Sequence, residues 1–158
     1  MSNSLVSEQV LGLCSQVGVR EIVLCAGARN APFVKRLSES TQFVVYSFFE
    51  ERSAAFFALG RMLASARPVA VITTSGTAAA ELLPAIIESD YQRMPLIVIT
   101  ADRPRRYRGS GAPQTIVQTG LYSHYVEQEL DLEGEAPAKL EISGRRPVHL
   151  NVCFEEPL

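Results

Sequence analysis

Phe48-Phe49-Glu50-Glu51-Arg52-Ser53-Ala54-Ala55-Phe56-Phe57-Ala58-Leu59-Gly60 joins two patterns that belong to different secondary structures. Upstream, Phe43-Val44-Val45-Tyr46-Ser47-Phe48 is a β-branched and aromatic run of strand length. Downstream, Ala54, Ala55, Ala58, Leu59, Met62 and Leu63 recur at helical spacing and give one apolar face. The adjacent carboxylates Glu50 and Glu51 therefore fall where a strand hands over to a helix. In an open α/β sheet, ligands bind at the carboxyl ends of the strands. Acids in the first turn of a helix also complement its macrodipole with no ligand present. Taken alone, the stretch leaves both roles open.

Outward from it, the same alternation repeats. A helix is expected over residues 4–17, capped by Ser4 or Ser7 and closed by Gly18. Glu21-Ile22-Val23-Leu24-Cys25 is a continuous apolar run, as a parallel strand buried on both faces requires. Pro32 suits the first turn of a second helix. After the helix over 51–65 come a strand at 69–73, a helix carrying Ala78, Leu82, Leu83, Ile86 and Ile87, and a strand at 95–100. A polar loop over 101–113 then leads to a weak helical stretch ending near Gly120. A short strand at Tyr125-Val126, a short helix over 136–142 and a last strand over 147–152 complete the expected order. The fold class is α/β: a mostly parallel sheet of about six strands with helices on both faces. Polar residues collect after the strand ends, at 26–30, 50–52, 74–77 and 101–103, as on a binding edge.

Composition sets the limits. A chain of 158 residues is one domain with room for a core, and at 47% hydrophobic and 20% charged it is not disordered. A formal net charge of −2 gives no reason to expect nucleic acid or an anionic membrane as partner. Cys14, Cys25 and Cys153 are too scattered for a disulfide framework or a metal cluster and are expected as buried thiols. His124 and His149 lack metal-like spacing. Without a signal-like N-terminus or an 18-residue apolar run, a cytoplasmic location is expected.

The motifs also resemble a family. Gly27-x-Arg29, Phe49-Glu50-Glu51-Arg52, Thr74-Ser75-Gly76-Thr77, Thr100-Ala101-Asp102-Arg103-Pro104 and Gly111-Ala112-Pro113-Gln114 occur in one order. Together they are similar to the pyrimidine-binding (PYR) domain of thiamine-diphosphate enzymes, most nearly the 2-succinyl-5-enolpyruvyl-6-hydroxy-3-cyclohexene-1-carboxylate synthases of menaquinone biosynthesis. The resemblance runs through Val148-His149-Leu150-Asn151-Val152 to Glu155-Glu156-Pro157-Leu158, so residues 1–158 are expected as a single PYR-type domain.

The resemblance implies that Glu51, the acid just before the arginine, activates the cofactor. A carboxyl group flanked by Phe48, Phe49, Phe56 and Phe57 would share a proton with N1′ of the aminopyrimidine, and Glu50 has a structural role only. It implies Arg29, Arg103 and Gln114 as substrate-binding residues for 2-oxoglutarate and isochorismate, whose carboxylates suit arginine forks. It places Thr74, Ser75, Gly76 and Thr77 beside the cofactor. Two plainer alternatives stand: Thr74 to Thr77 as an ordinary helix cap, and Arg103 as one of a surface cluster with Arg105, Arg106 and Arg108. That cluster has only Tyr107 interleaved, too little for a nucleic-acid surface.

Two departures affect substrate identity. Ala28 replaces a family serine in a P-G-S-R-S loop, and Pro113 replaces an asparagine and removes an N–H. The family holds Mg²⁺ and the diphosphate on a separate domain through a Gly-Asp-Gly motif, which this sequence lacks. No metal ligand is therefore expected here, and the chain needs a diphosphate-binding domain from the same or another polypeptide. A homodimer or tetramer is expected, with Phe56, Phe57 and Leu59 on an apolar surface awaiting a two-fold partner. Competing functions are an acetolactate-synthase-like or other 2-oxo acid decarboxylase, and a non-catalytic PYR-type assembly module.

Overall fold

A computed structural model describes residues 2–156; Met1, and the Pro157 and Leu158 that the resemblance includes, lie outside the described residues. The chain forms α1 (Asn3–Gln16), β1 (Glu21–Cys25), α2 (Ala31–Ser38), β2 (Val44–Phe48), α3 (Glu51–Ser65) and β3 (Val69–Thr73). It continues through α4 (Thr77–Ala80), α5 (Leu83–Tyr91), β4 (Ile97–Asp102), a 3-10 turn (Arg105–Tyr107), β5 (Gln128–Glu133) and β6 (Val148–Cys153). The six strands make one sheet in the order β2-β1-β3-β4-β6-β5, and every pairing is parallel.

The continuous apolar runs take the positions that need them. β3, β4 and β6 are buried at every residue and β1 at all but its first, whereas β2 and β5 are the half-exposed edges. Successive strand residues face opposite sides. Ile22, Leu24, Ile72, Ile97, Ile99 and Leu150 pack with Val10, Leu13 and Cys14 of α1 and with Phe33 and Leu37 of α2. Val23, Val71 and Val98 pack with Ala54, Ala55, Ala58 and Met62 of α3 and with Ile86 of α5. Each fully buried branched side chain contributes about 1.5–3 kcal/mol, so these two layers dominate the fold. Among the described residues, no helix is long and apolar enough to cross a membrane.

Several local expectations fail, each for a physical reason. Ser2, rather than Ser4 or Ser7, caps α1, accepting from the Leu5 amide at 3.3 Å. Ser7 lies within the helix and donates to the Ser4 carbonyl. The expected helix through Ala78 and Ile87 is two, α4 and α5, because Pro84 in the first turn of α5 cannot continue a helix from α4. β4 runs on through Ala101 and Asp102, both buried, so the polar loop begins later than expected. No helix forms before Gly120, where the chain makes turns instead. Residues 136–142 are also non-helical, with Leu140 buried and Ala136 and Ile142 packed against the α1 side of the core. The strand expected at Tyr125-Val126 is β5, starting at Gln128. Leu59 is 6% exposed and belongs to the core, not to an open apolar surface.

Candidate active site on the carboxyl edge of the sheet

Because the sheet is wholly parallel, β1, β2, β3 and β4 present their carboxyl ends on one edge. The chain leaves β1 toward β2 on one side and takes up β3 on the other, so β1 and β3 flank the topological switch. The loops that follow them meet there. A Cβ on Gly27 would lie 2.7 Å from Thr74 Cβ, so only glycine permits this approach. Asn30 fixes the first loop, accepting from the Gly27 amide at 2.8 Å and donating to the Cys25 carbonyl at 2.8 Å.

At the outer end of this edge, Glu50 and Glu51 divide their roles. Glu50 caps α3, its carboxylate accepting from the Ser53 amide at 2.7 Å and the Arg52 amide at 3.1 Å. Hydrogen bonds from Ser53 hold the Glu50 carboxyl below its ordinary value. Glu51, the first residue of α3, is partly exposed, and its carboxylate makes no hydrogen bond or ion pair among the described residues. The expected apolar enclosure is only half present. Phe57 packs edge-on against Tyr46 and tilted against Phe48, but Phe49 is fully exposed and Phe56 is 44% exposed. Phe49 follows the end of β2 and Phe56 faces outward from the second turn of α3, so within this chain they do not cover the carboxylate.

Arg29 is not a solvated loop residue, being 6% exposed. Its guanidinium donates to the Phe154 carbonyl at 3.3 Å and to Glu156 Oε1 at 2.5 Å. Arg103 reaches the same Glu156 oxygen at 3.5 Å and is steadied by the Pro113 carbonyl at 3.2 Å. The two arginines therefore converge on one carboxylate. Their neighbours are committed elsewhere: Arg105 and Arg108 bind Asp131, and Arg106 binds Glu155. Arg103 is thus set apart from the rest of the cluster.

The turn after β3 is not an ordinary cap. The residue before α4 is Gly76, at φ 82°, with no side-chain cap. Gln114 lies across the turn. Its Nε2 donates to the Ser75 carbonyl at 3.1 Å, and a Cβ on Gly76 would fall 2.9 Å from its Cγ. Gln118 Oε1 accepts from the Gly76 amide at 2.9 Å. The hydroxyls of Thr73, at the end of β3, and of Thr74, just past it, are buried without a hydrogen-bond partner among the described residues. Leaving such groups unpaired is costly, so both hydroxyls are open to a partner from outside the chain.

The structure thus brings Arg29 to Arg103, and Gln114 to Ser75 and Gly76, with Glu51 further out on the same edge. The motif reading gave no role to Asn30, Gln118 or Glu156. Gln118 and the buried polar residues it meets were detectable as polar side chains that strands as apolar as β4 and β6 must satisfy internally. Among the described residues, no group of three His, Cys, Asp or Glu side chains is arranged to hold a metal ion.

Comparison with known proteins agrees with this geometry. The sequence model of the family described as "Thiamine pyrophosphate enzyme, N-terminal TPP binding domain" matches residues 5–131. The 2-succinyl-5-enolpyruvyl-6-hydroxy-3-cyclohexene-1-carboxylate synthase of Bdellovibrio bacteriovorus is 56% identical over 160 residues, covering 100% of this chain and 30% of that protein. The enzyme of the same name from Akkermansia muciniphila is 47% identical over 154 residues, covering 95% of this chain and 29% of that protein. The one from Lysinibacillus sphaericus is 45% identical over 159 residues, covering 90% and 28% respectively. The chain therefore spans 28–30% of the length of these curated relatives. By its match over residues 5–131, the chain belongs to the thiamine pyrophosphate enzyme family as an N-terminal TPP-binding domain.

Proposed function

We propose that residues 1–158 are the PYR-type domain of a thiamine-diphosphate enzyme of menaquinone biosynthesis, which decarboxylates 2-oxoglutarate and adds the succinyl unit to isochorismate. The observation that carries the substrate reading is the convergence of Arg29 and Arg103 on one carboxylate oxygen, at 2.5 and 3.5 Å. Substrates with several carboxylates call for such a pair, whereas an acetolactate-synthase-like reaction on a monocarboxylate has less use for it. Glu156 is the internal carboxylate that a substrate carboxylate would displace or share. Ala28 leaves this pair intact, and Pro113 supports it through its carbonyl.

The residues present fit the cofactor, since the Thr73 and Thr74 hydroxyls, unpartnered among the described residues, and the Gly27–Thr74 junction offer polar atoms and close backbone approach. When bound, thiamine diphosphate supplies the electron sink for decarboxylation. Glu51 holds a proton at the pyrimidine N1′, the role open to a carboxyl without internal partners. Thr74, Ser75, Gly76 and Thr77, backed by Gln114, form the wall against the ring, and Arg29 and Arg103 orient the substrate carboxylate. The diphosphate and Mg²⁺ belong to a separate domain of the same or another polypeptide. The working form is a cytoplasmic homodimer or tetramer, in which a partner covers Phe49, Phe56 and Leu63, exposed at 104%, 44% and 74%. That burial also completes the apolar enclosure of Glu51.

The test compares Glu51→Gln with Glu50→Gln in the full-length protein, reading deuterium exchange at C2 of bound thiamine diphosphate. Glu51→Gln is expected to slow exchange about 10²–10⁴-fold. Glu50→Gln keeps an oxygen for the Ser53 amide, gives up only the longer bond from the Arg52 amide, and should stay near the parent rate. Equal slowing in both, or in neither, rules out the assignment of Glu51.

A further inference from the structure

Beneath the carboxyl edge, β4 and β6 carry a layer of polar side chains that the assignment above does not use. Thr100, Asp102, His149 and Asn151 are fully buried and Gln118 is 1% exposed. Counting hydrogens orients both side-chain amides of this layer. Asn151 Nδ2 donates to Asp102 Oδ2 at 3.0 Å and to Asp131 Oδ1 at 2.9 Å. Its Oδ1 must then be the atom that accepts from Thr100 Oγ1 at 2.9 Å and from Gln118 Nε2 at 2.8 Å. Thr100 Oγ1 also lies 2.8 Å from His149 Nε2, and His149 Nδ1 lies 2.9 Å from Glu129 Oε2, the donor at each contact being set by the imidazole tautomer. Gln118 Nε2 also donates to the Ala101 carbonyl at 3.2 Å. Its amide orientation is therefore fixed, and Oε1 is the oxygen offered to the Gly76 amide.

The Gly76 N–H and the Ser75 carbonyl are the two poles of one peptide unit. Gln118 holds the N–H at 2.9 Å and Gln114 holds the carbonyl at 3.1 Å. Gly76 has no Cβ to resist a rotation of that peptide, and at φ 82° it sits where glycine moves freely. Among the described residues, neither pole is held by a backbone partner. We propose that Gln118 is a positioning residue: through its clamp on the Gly76 amide it keeps the Ser75–Gly76 peptide in the one orientation that receives the pyrimidine ring. The inference rests on the cofactor reading for its purpose, while the clamp itself is a property of the chain without ligand. A flipped peptide would set the Ser75 carbonyl against Gln118 Oε1 and the Gly76 N–H against Gln114 Nε2, pairing like poles and changing the surface that the turn presents. Apparent cofactor affinity then falls by the fraction of molecules with the peptide correctly set.

The experiment uses the full-length protein and Gln118→Met, which keeps side-chain length and loses both amide functions. Hydrogen exchange resolved at Gly76 is measured without cofactor, and thiamine diphosphate affinity is measured by calorimetry in the presence of Mg²⁺. In the parent protein the Gly76 amide is expected to exchange as slowly as the central strands. Gln118→Met should speed it about tenfold or more, raise the cofactor KM by a similar factor and leave kcat at saturating cofactor near the parent value. A Gly76 amide that exchanges at an exposed-loop rate in the parent protein overturns the clamp, whether or not the variant folds. So does unchanged Gly76 exchange in Gln118→Met, or a fall in kcat without a rise in cofactor KM. Absence of cofactor binding by the parent protein would count against the cofactor reading alone, and the exchange measurements would still decide the clamp.

Discussion

Gly27→Ala tests the junction at the topological switch most directly. The new Cβ would lie 2.7 Å from Thr74 Cβ and 2.8 Å from its Cγ2 and Oγ1. Carbon atoms at rest sit about 3.5–4.0 Å apart, so the gap is short by about 1 Å. Thr74 cannot yield by rotating, because its Cβ is fixed to the backbone and the side chain is only 7% exposed. The loop of Gly27 cannot yield freely either, since the Asn30 side chain ties it to Cys25 and to Gly27 itself. One of the two loops must shift, at a cost of about 1–3 kcal/mol for an overpacked site. Gly12→Ala provides the opposite sign: it lies within α1, a Cβ there meets nothing within 4 Å, and the helix gains about 0.5–1 kcal/mol. Urea melts followed by far-ultraviolet circular dichroism would report both. Adding Thr74→Gly should remove most of the Gly27→Ala penalty, a coupling of about 0.5–3 kcal/mol between touching residues. A neutral Gly27→Ala, or a penalty undiminished beside Thr74→Gly, would refute the reasoning.

Other outcomes follow from charge and burial. Burial pushes the Cys14 thiol up to about 12, and burial together with the charges of Glu51 and Glu50 does the same for Cys25. Both should resist alkylation at pH 8 until the chain is unfolded, read as mass added per molecule with and without denaturant. Burial pushes the Asp131 carboxyl up, but hydrogen bonds from Arg108, Asn151 and Arg105 outweigh it and bring the value down to about 2. Its folded value is below its unfolded one, so its contribution is complete above about pH 4 and disappears as pH falls through about 2. Asp131→Asn should flatten the acid limb of stability between those limits by about 1–2 kcal/mol, after allowing for solvent access; an unchanged limb would show the pairing to be unimportant.

The sheet was legible because burial on both faces leaves an uninterrupted apolar run, and Glu21–Cys25 and Val69–Thr73 have no other use for one. β5 was not. Its sequence, QELDLE, has acids whose partners are Arg105, Arg108 and His149, all distant in sequence, so no local apolar signal marks the strand. Pro84 divides α4 from α5 although the apolar residues on either side keep a helical period, so periodicity alone shows one helix. At the site, the motifs pointed to Glu51 and the two arginines. The burial of Arg29 and the sharing of Glu156 depend on a contact between residues 127 apart in sequence, which no local pattern carries. The clamp on Gly76 was hidden for the same reason: Gln118 is 42 residues from its partner.

The strand order has a consequence for how the chain is made. β6 lies between β4 and β5, although both of those strands emerge from the ribosome before it. β2, β1, β3 and β4 can pair as they appear, but the outer side of β4 has no neighbour until Val148–Cys153 arrives. During that interval a strand buried at every position in the finished sheet presents an open row of backbone groups and apolar side chains. β5 waits detached, because its neighbour in the sheet is also β6. A stall or cleavage anywhere between residues 103 and 147 therefore leaves a four-stranded nucleus with its stickiest edge exposed, the form most prone to pair with a second unfinished chain.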